Sequence, residues 1–155
     1  MKKLLLLSAL LILGCSGDDD SNSSSGCTDS LAVNYDVNAT QDDGSCQYSI
    51  IGNWTVQQYT LSDGSNLMDD YDYIDYTINS DNSFFQYIGP AGTNDEIIVT
   101  GTYSISGSNN STLTFYVDNG PTTQTTIVSI SSTTIELTFD VTDTNLTADI
   151  ALIRI

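Results

Sequence analysis

From Ile50 to the C-terminus the chain is written in short runs of Thr, Ser, Ile, Val and Tyr, and this pattern limits the fold more than any other feature of the sequence. Apolar residues alternate with polar ones at Ile74, Tyr76 and Ile78; at Ile97, Val99, Gly101, Tyr103 and Ile105; at Leu113, Phe115 and Val117; and at Ile135, Leu137 and Phe139. A period of two places such residues on one face of a strand, with that face buried and the other wet. Less regular runs around Gly52 to Leu61, Phe84 to Ile88, Thr125 to Ile130 and Leu146 to Ile155 bring the number of strands to eight. Turn-forming groups separate them: Ser80-Asp81-Asn82, Gly89-Pro90-Ala91-Gly92, Gly107-Ser108-Asn109-Asn110, Asn119-Gly120-Pro121, Ser131-Ser132 and Thr142-Asp143. Connections this short demand antiparallel neighbours, since a parallel crossover needs a dozen or more residues and no helical period is present to supply one. The expectation is an all-β, eight-stranded antiparallel up-and-down meander. Closure into a barrel removes the sticky edges and is favoured over a two-sheet sandwich.

The first 14 residues do not belong to that fold. Lys2 and Lys3 precede the apolar stretch Leu4 to Leu13, and Gly14 stands before a cysteine, which is the layout of a cleavable export signal over 1–14. At about 1.5 Å per residue this stretch reaches about half of a roughly 30 Å hydrocarbon layer, too short to span it. Ile12-Leu13-Gly14-Cys15 resembles a lipobox. That resemblance implies that Cys15 is acylated, with palmitate among the chains, and becomes the mature N-terminus. Several acyl chains anchor a protein far more firmly than one. An ordinary secretory signal with an incidental cysteine is the alternative, and it leaves an unpaired thiol in an oxidising compartment. Of three cysteines, Cys27 and Cys46 can pair, and Cys15 is left over.

Residues 15–26 follow as the lipidated cysteine and a tether with no hydrophobic side chain to bury, expected to be disordered and self-repelling. It reaches roughly 18 Å on average. A serine directly after the cysteine resembles outer-membrane sorting, and Asp18-Asp19-Asp20 resembles a surface-export signal. The same aspartates would also simply keep a linker solvated. Lipid anchoring at the outer membrane, with exposure at the cell surface on the export reading, is the expected location.

Residues 27–48 read as a separate Asp-rich module, bounded by Cys27 and Cys46, with Ala32, Val33 and Tyr35 as its main apolar groups. A disulfide closing this loop stabilises it by about 3 kcal/mol in the chain-entropy view. The segment resembles a small repeat of bacterial surface proteins, GCTD…A…NY…A…DDGSC, through Gly26 to Asp29, Ala32, Asn34-Tyr35, Ala39 and Asp42 to Cys46. Its Asp-rich turns are also similar to calcium-binding repeats of extracellular matrix proteins. Calcium takes six to eight oxygens, and Asp29, Asp36, Asn38, Asp42 and Asp43 offer carboxylate and amide oxygens. The twelfth place from Asp36 holds Gln47, where an EF-hand needs a bidentate Glu. Calcium binding and a solvated, disulfide-pinned loop both stay open.

Charge excludes whole classes of function. The chain has three basic residues against 20 acidic ones, a net charge of −17, and removal of the signal leaves Arg154 as the lone base. Nucleic-acid phosphates are held by Lys and Arg, so such partners are excluded, and anionic lipid heads are repelled. The same charge favours a soluble monomer. There is no histidine, and no lysine outside the signal, so the usual triads, zinc sites and Schiff bases lack members and a non-enzymatic role is expected. A second acidic cluster, Asp69-Asp70-Tyr71-Asp72-Tyr73, is expected in a long first connection of the barrel.

Residues 49–155 carry one further pattern. Gly52-Asn53-Trp54 opens the first strand, and Arg154 stands one residue from the other end. The pair resembles the lipocalin arrangement, as does the Gly101-Thr102-Tyr103 strand of the shorter bacterial lipocalin-like domains. The resemblance implies a barrel closed at one end by Trp54, with Arg154 packed across the indole and Gly52 beside it. It also implies binding of a small apolar or neutral ligand in the barrel mouth, without catalysis. A structural or adhesive surface module that binds proteins or glycans, with calcium dependence if the Asp-rich segment holds the ion, is the second reading.

Overall fold

In the computed structural model the described residues are 23–141 and 144–155. The signal, Cys15 and most of the tether lie outside them. Two short strands come first, β1 (Ser25–Gly26) and β2 (Gln41–Asp42), paired in parallel within the Asp-rich module. Eight longer strands follow: β3 (Gly52–Leu61), β4 (Tyr71–Ile78), β5 (Ser83–Pro90), β6 (Ile97–Ser106), β7 (Thr112–Val117), β8 (Thr122–Ile130), β9 (Thr134–Asp140) and β10 (Thr147–Arg154). Each pairs antiparallel with its sequence neighbour, and β10 returns to β3, giving a closed barrel and not two packed sheets. Closure leaves no open edge, the feature that makes an isolated sheet aggregate.

Alternation builds the interior. Trp54 and Val56, Ile74 and Ile78, Phe84, Tyr103, Leu113 and Phe115, Ile135 and Leu137, and Ile150 and Leu152 form one buried cluster with Ile50. Burying side chains of this size contributes about 1.5–3 kcal/mol each. Phe84 is 2% exposed and its ring meets Phe115 edge-on at 4.8 Å. Gly101 makes that position available, because a Cβ there would lie 2.8 Å from the Phe84 ring. The apolar stripe of β6 frays at both ends, where Ile97 and Ile105 are exposed.

Two expectations need correction. Ser24 to Gly26 are not free tether: Thr40 and Gln41 N–H groups donate to Ser24 O, Asp43 N–H donates to Gly26 O, and β1 pairs with β2. The acidic cluster is not all connection, since Asp69 and Asp70 end a 3-10 turn (Leu67–Asp70) and Tyr71 to Tyr73 already belong to β4. In the module, Val33 and Tyr35 are exposed, and burial falls on Cys27 and Ala32. A segment this small cannot surround three apolar side chains, so the disulfide takes the central place.

Candidate functional site

Two poles follow from the strand directions. Gly52 and Arg154, with the turns after β4, β6 and β8, mark one pole; the connections after β3, β5, β7 and β9 mark the other.

The first pole is sealed. Trp54 is wholly buried, and its indole N–H donates to Ile50 O at 2.7 Å. The Arg154 guanidinium lies over the indole, its carbon 4.2 Å from the ring centroid. The same guanidinium donates to three backbone carbonyls, Ser132 O at 2.8 Å, Ile51 O at 3.0 Å and Ser49 O at 2.9 Å. Only a planar fork of several donors can lie flat on a ring and reach three acceptors at once. Gly52 has φ of +144°, and a Cβ on it would stand 2.5 Å from the arginine Nη1. The structure thus brings Gly52, Trp54 and Arg154 together and uses them to strap the segment Ser49 to Ile51 across the barrel end.

Above this seal the interior is nearly full. A cavity of about 10 Å³ remains among Tyr76, Ile78, Leu113, Phe115, Ile135, Leu137, Ile150 and Leu152, room for about one water. Tyr76 inside has its phenol pKa pushed up, chiefly by burial and also by Tyr59, although Gln86 donates to its oxygen at 2.8 Å. The neutral phenol is therefore the form that the barrel holds.

The second pole is looser. Tyr59, Met68, Tyr71, Ile88 and Phe139 are half-buried there against the core. Tyr59 and Phe139 meet edge-on at 6.1 Å, and burial, with a contribution from Tyr71, raises the Tyr59 pKa. Met68 arrives on the 3-10 turn, which begins where Asn66 accepts a hydrogen bond from the Met68 N–H. Carboxylates surround this rim: Asp63, Asp69 and Asp70, Asp95 and Glu96, and Asp118. A shallower groove of about 310 Å³ lies on the outer wall, between Gln58, Val128, Glu136, Asp149 and Ala151.

Residues 50–137 match the family model described as a lipocalin-like domain. The chain belongs to that family. A crystal structure of a lipocalin-like protein from Bacteroides uniformis is similar at 15% identity, covering 64% of this chain and 94% of its own, with a TM-score of 0.49. No curated protein matches the chain.

Outside the lipocalin-like domain, the Asp-rich module closes through the Cys27–Cys46 disulfide. Of its five proposed calcium ligands, the four carboxylates each accept hydrogen bonds within the module. Asp29 accepts from Leu31 N–H and from the Tyr48 hydroxyl; Asp36 accepts from Asn38 N–H; Asp42 and Asp43 accept from the N–H groups of Gly44 and Ser45. These are side chains capping their own turns. The bonds from Leu31, Tyr48 and Ser132 hold the Asp29 carboxyl below the usual carboxylate range, and those from Ser45 do the same for Asp43. Among the described residues no group of three or more His, Cys, Asp or Glu side chains is placed to hold a metal.

The sequence did not mark the mouth aromatics as a set. Phe139 stood in a clear alternation and Tyr71 inside an acidic cluster, but Tyr59 and Met68 lay in irregular stretches.

Proposed function

We propose that this is a lipid-anchored cell-envelope protein, attached to the outer membrane through Cys15, whose lipocalin-like barrel binds a small apolar, uncharged ligand at its mouth without catalysis. The observation that carries this reading is the contrast between the poles. Arg154 and Trp54 seal one, while Tyr59, Met68, Tyr71 and Phe139 leave aromatic and thioether surface half-covered at the other. Apolar walls with a few placed polar groups are what small-ligand sites are made of. The acidic rim disfavours anions, fatty carboxylates included. With little room inside, a ligand would stay near the rim and pack against Tyr59, Met68, Tyr71 and Phe139.

Titration with the neutral fluorophore N-phenyl-1-naphthylamine tests this: saturable binding is expected, weakened about tenfold by Phe139→Ala or Tyr59→Ala. Equal binding by both variants, or preference for a fatty carboxylate, defeats it. The anchor is tested by labelled palmitate, which Cys15→Ser should leave unincorporated while releasing the protein from membranes.

A second reading, recognition by the outer surface, is favoured by the same packing. An interior with room for about one water makes the outside of the barrel the larger part of what a partner can touch.

A further inference from the structure

Phe84, Gln86 and Ile88 make the inner face of β5, and Gln86 is its polar member. Gln86 pairs with Tyr76 on β4 and Val99 on β6, both packed against the core. Residues opposite each other in a ladder share a face, so the amide points into the barrel. Its Nε2 donates to the Tyr76 hydroxyl oxygen at 2.8 Å.

That single bond leaves most of the pair's capacity unspent. An amide has two N–H donors and a carbonyl acceptor, and a phenol has an O–H donor of its own. Among the described residues Gln86 Oε1 accepts no hydrogen bond, and it is also not shut from solvent, because Asp75 Oδ1 is the one side-chain atom that combines those two conditions. Turning the amide over would let the phenol donate to Oε1 and would free both N–H groups instead. In either orientation the pair keeps hydrogen-bonding groups that the protein does not use. Gln86 is not among the residues around the small inner cavity, so its open surface lies on the side of the mouth. Phenols lead from it to the rim: Tyr59 raises the Tyr76 pKa and Tyr71 raises that of Tyr59, which places the three within electrostatic reach in sequence.

We infer that the ligand at the mouth carries an uncharged head that both donates and accepts hydrogen bonds, a hydroxyl or an amide, and that the Gln86 amide reads this head while Tyr76 positions the amide. The inference rests on the mouth-binding reading above and names the chemistry of its ligand. The apolar body packs on Tyr59, Met68, Tyr71 and Phe139, and the head donates to Oε1 while accepting from a free N–H or from the phenol. Other heads fit less well. A bare hydrocarbon would cover Oε1 and leave it unmatched. A carboxylate meets the acidic rim and a carbonyl oxygen of like partial charge. An ammonium would lose water beside a core cluster that holds no carboxylate to replace it.

Displacement of N-phenyl-1-naphthylamine from the full-length chain carrying Cys15→Ser tests the inference, with octane, 1-octanol, octanamide and octanoate as competitors. Each competitor is scored by the ratio of its inhibition constants with and without the Gln86→Leu substitution, in which differences of water solubility cancel. Gln86→Leu should weaken 1-octanol and octanamide about tenfold and leave octane unchanged. Tyr76→Phe keeps the ring, frees the amide and should weaken the same two competitors about threefold; it carries the test should Gln86→Leu fail to fold. The near-ultraviolet circular dichroism of buried Trp54 reports that each variant is folded. Equal effects on octane, 1-octanol and octanamide, or no effect on any, overturn the inference and leave mouth binding standing. A larger loss for octanoate than for 1-octanol overturns it too. No saturable N-phenyl-1-naphthylamine binding by the chain with Gln86 intact overturns the mouth reading and the inference with it.

Discussion

Arg154 does more at the residue scale than its position as the lone basic side chain among the described residues suggests. Its charge has no carboxylate partner among its hydrogen bonds; it is shared between an indole face and three carbonyls. Arg154→Ala should cost about 1–3 kcal/mol, read as a lower urea midpoint at unchanged slope, and Arg154→Lys should recover less than half of it. Gly52→Ala should cost about as much, since it combines a strained backbone with a collision against Nη1. Asp75 makes the opposite prediction: Asp75→Thr removes an unmatched buried oxygen and should raise stability by about 1 kcal/mol. Tyrosines set the alkaline limit. Burial is the leading cause that raises the phenol pKa of Tyr59, Tyr76 and Tyr103 above the ordinary 10.0. A raised pKa favours the protonated form in the folded state, so this stability is intact below pH 10 and is lost as pH climbs through the folded values. Phenolate absorbance of these three should therefore lag and appear together with loss of the Trp54 dichroism.

Strands show which parts of the fold the sequence made legible. Runs with one apolar face, such as Leu113, Phe115 and Val117 or Ile135, Leu137 and Phe139, read directly as β7 and β9. Three irregular runs have physical reasons. In β3 the pairing with β10 skips a residue at Gln57, so Trp54 and Val56 point inward before the slip and Tyr59 after it. In β8 a similar slip at Val128 moves the inward set from Ile127 to Ile130. A bulge inserts one residue and inverts the alternation beyond it. In β5 nothing slips; Phe84 faces the core while Phe85 and Tyr87 face out, so aromatic residues occupy both sides. The Gly52, Trp54 and Arg154 contact was readable by resemblance, whereas the three carbonyls held by Arg154 were not, because backbone acceptors leave no mark in composition. The Asp-rich module behaves as an element of its own. Cys27→Ser with Cys46→Ser should remove about 3 kcal/mol from the loop and open residues 27–47 to protease, while the barrel keeps its Trp54 signal.

For the whole molecule, the seam between β10 and β3 is the one barrel pairing not made by sequence neighbours. It joins residues about a hundred positions apart, among them Arg154 with Trp54, and such distant pairings form late and slowly. Deleting residues 147–155 should leave β3 and β9 as open edges and make the protein aggregate more than the intact chain, checked by light scattering at matched concentration. Chelator and added calcium should both leave the melting temperature unchanged, because ligand that binds the folded state raises it and the module's aspartates are already engaged by their own turns; a rise with calcium would refute that assignment. The strap at Ser49 to Ile51 has one more effect. The chain enters and leaves the barrel at the same pole, beside Arg154, which holds the Ser49 carbonyl one residue after the module ends. The proposed lipid on Cys15 would therefore lead into the barrel from its sealed foot, which leaves the mouth at the opposite end, and Phe85 stands low on the side wall between them.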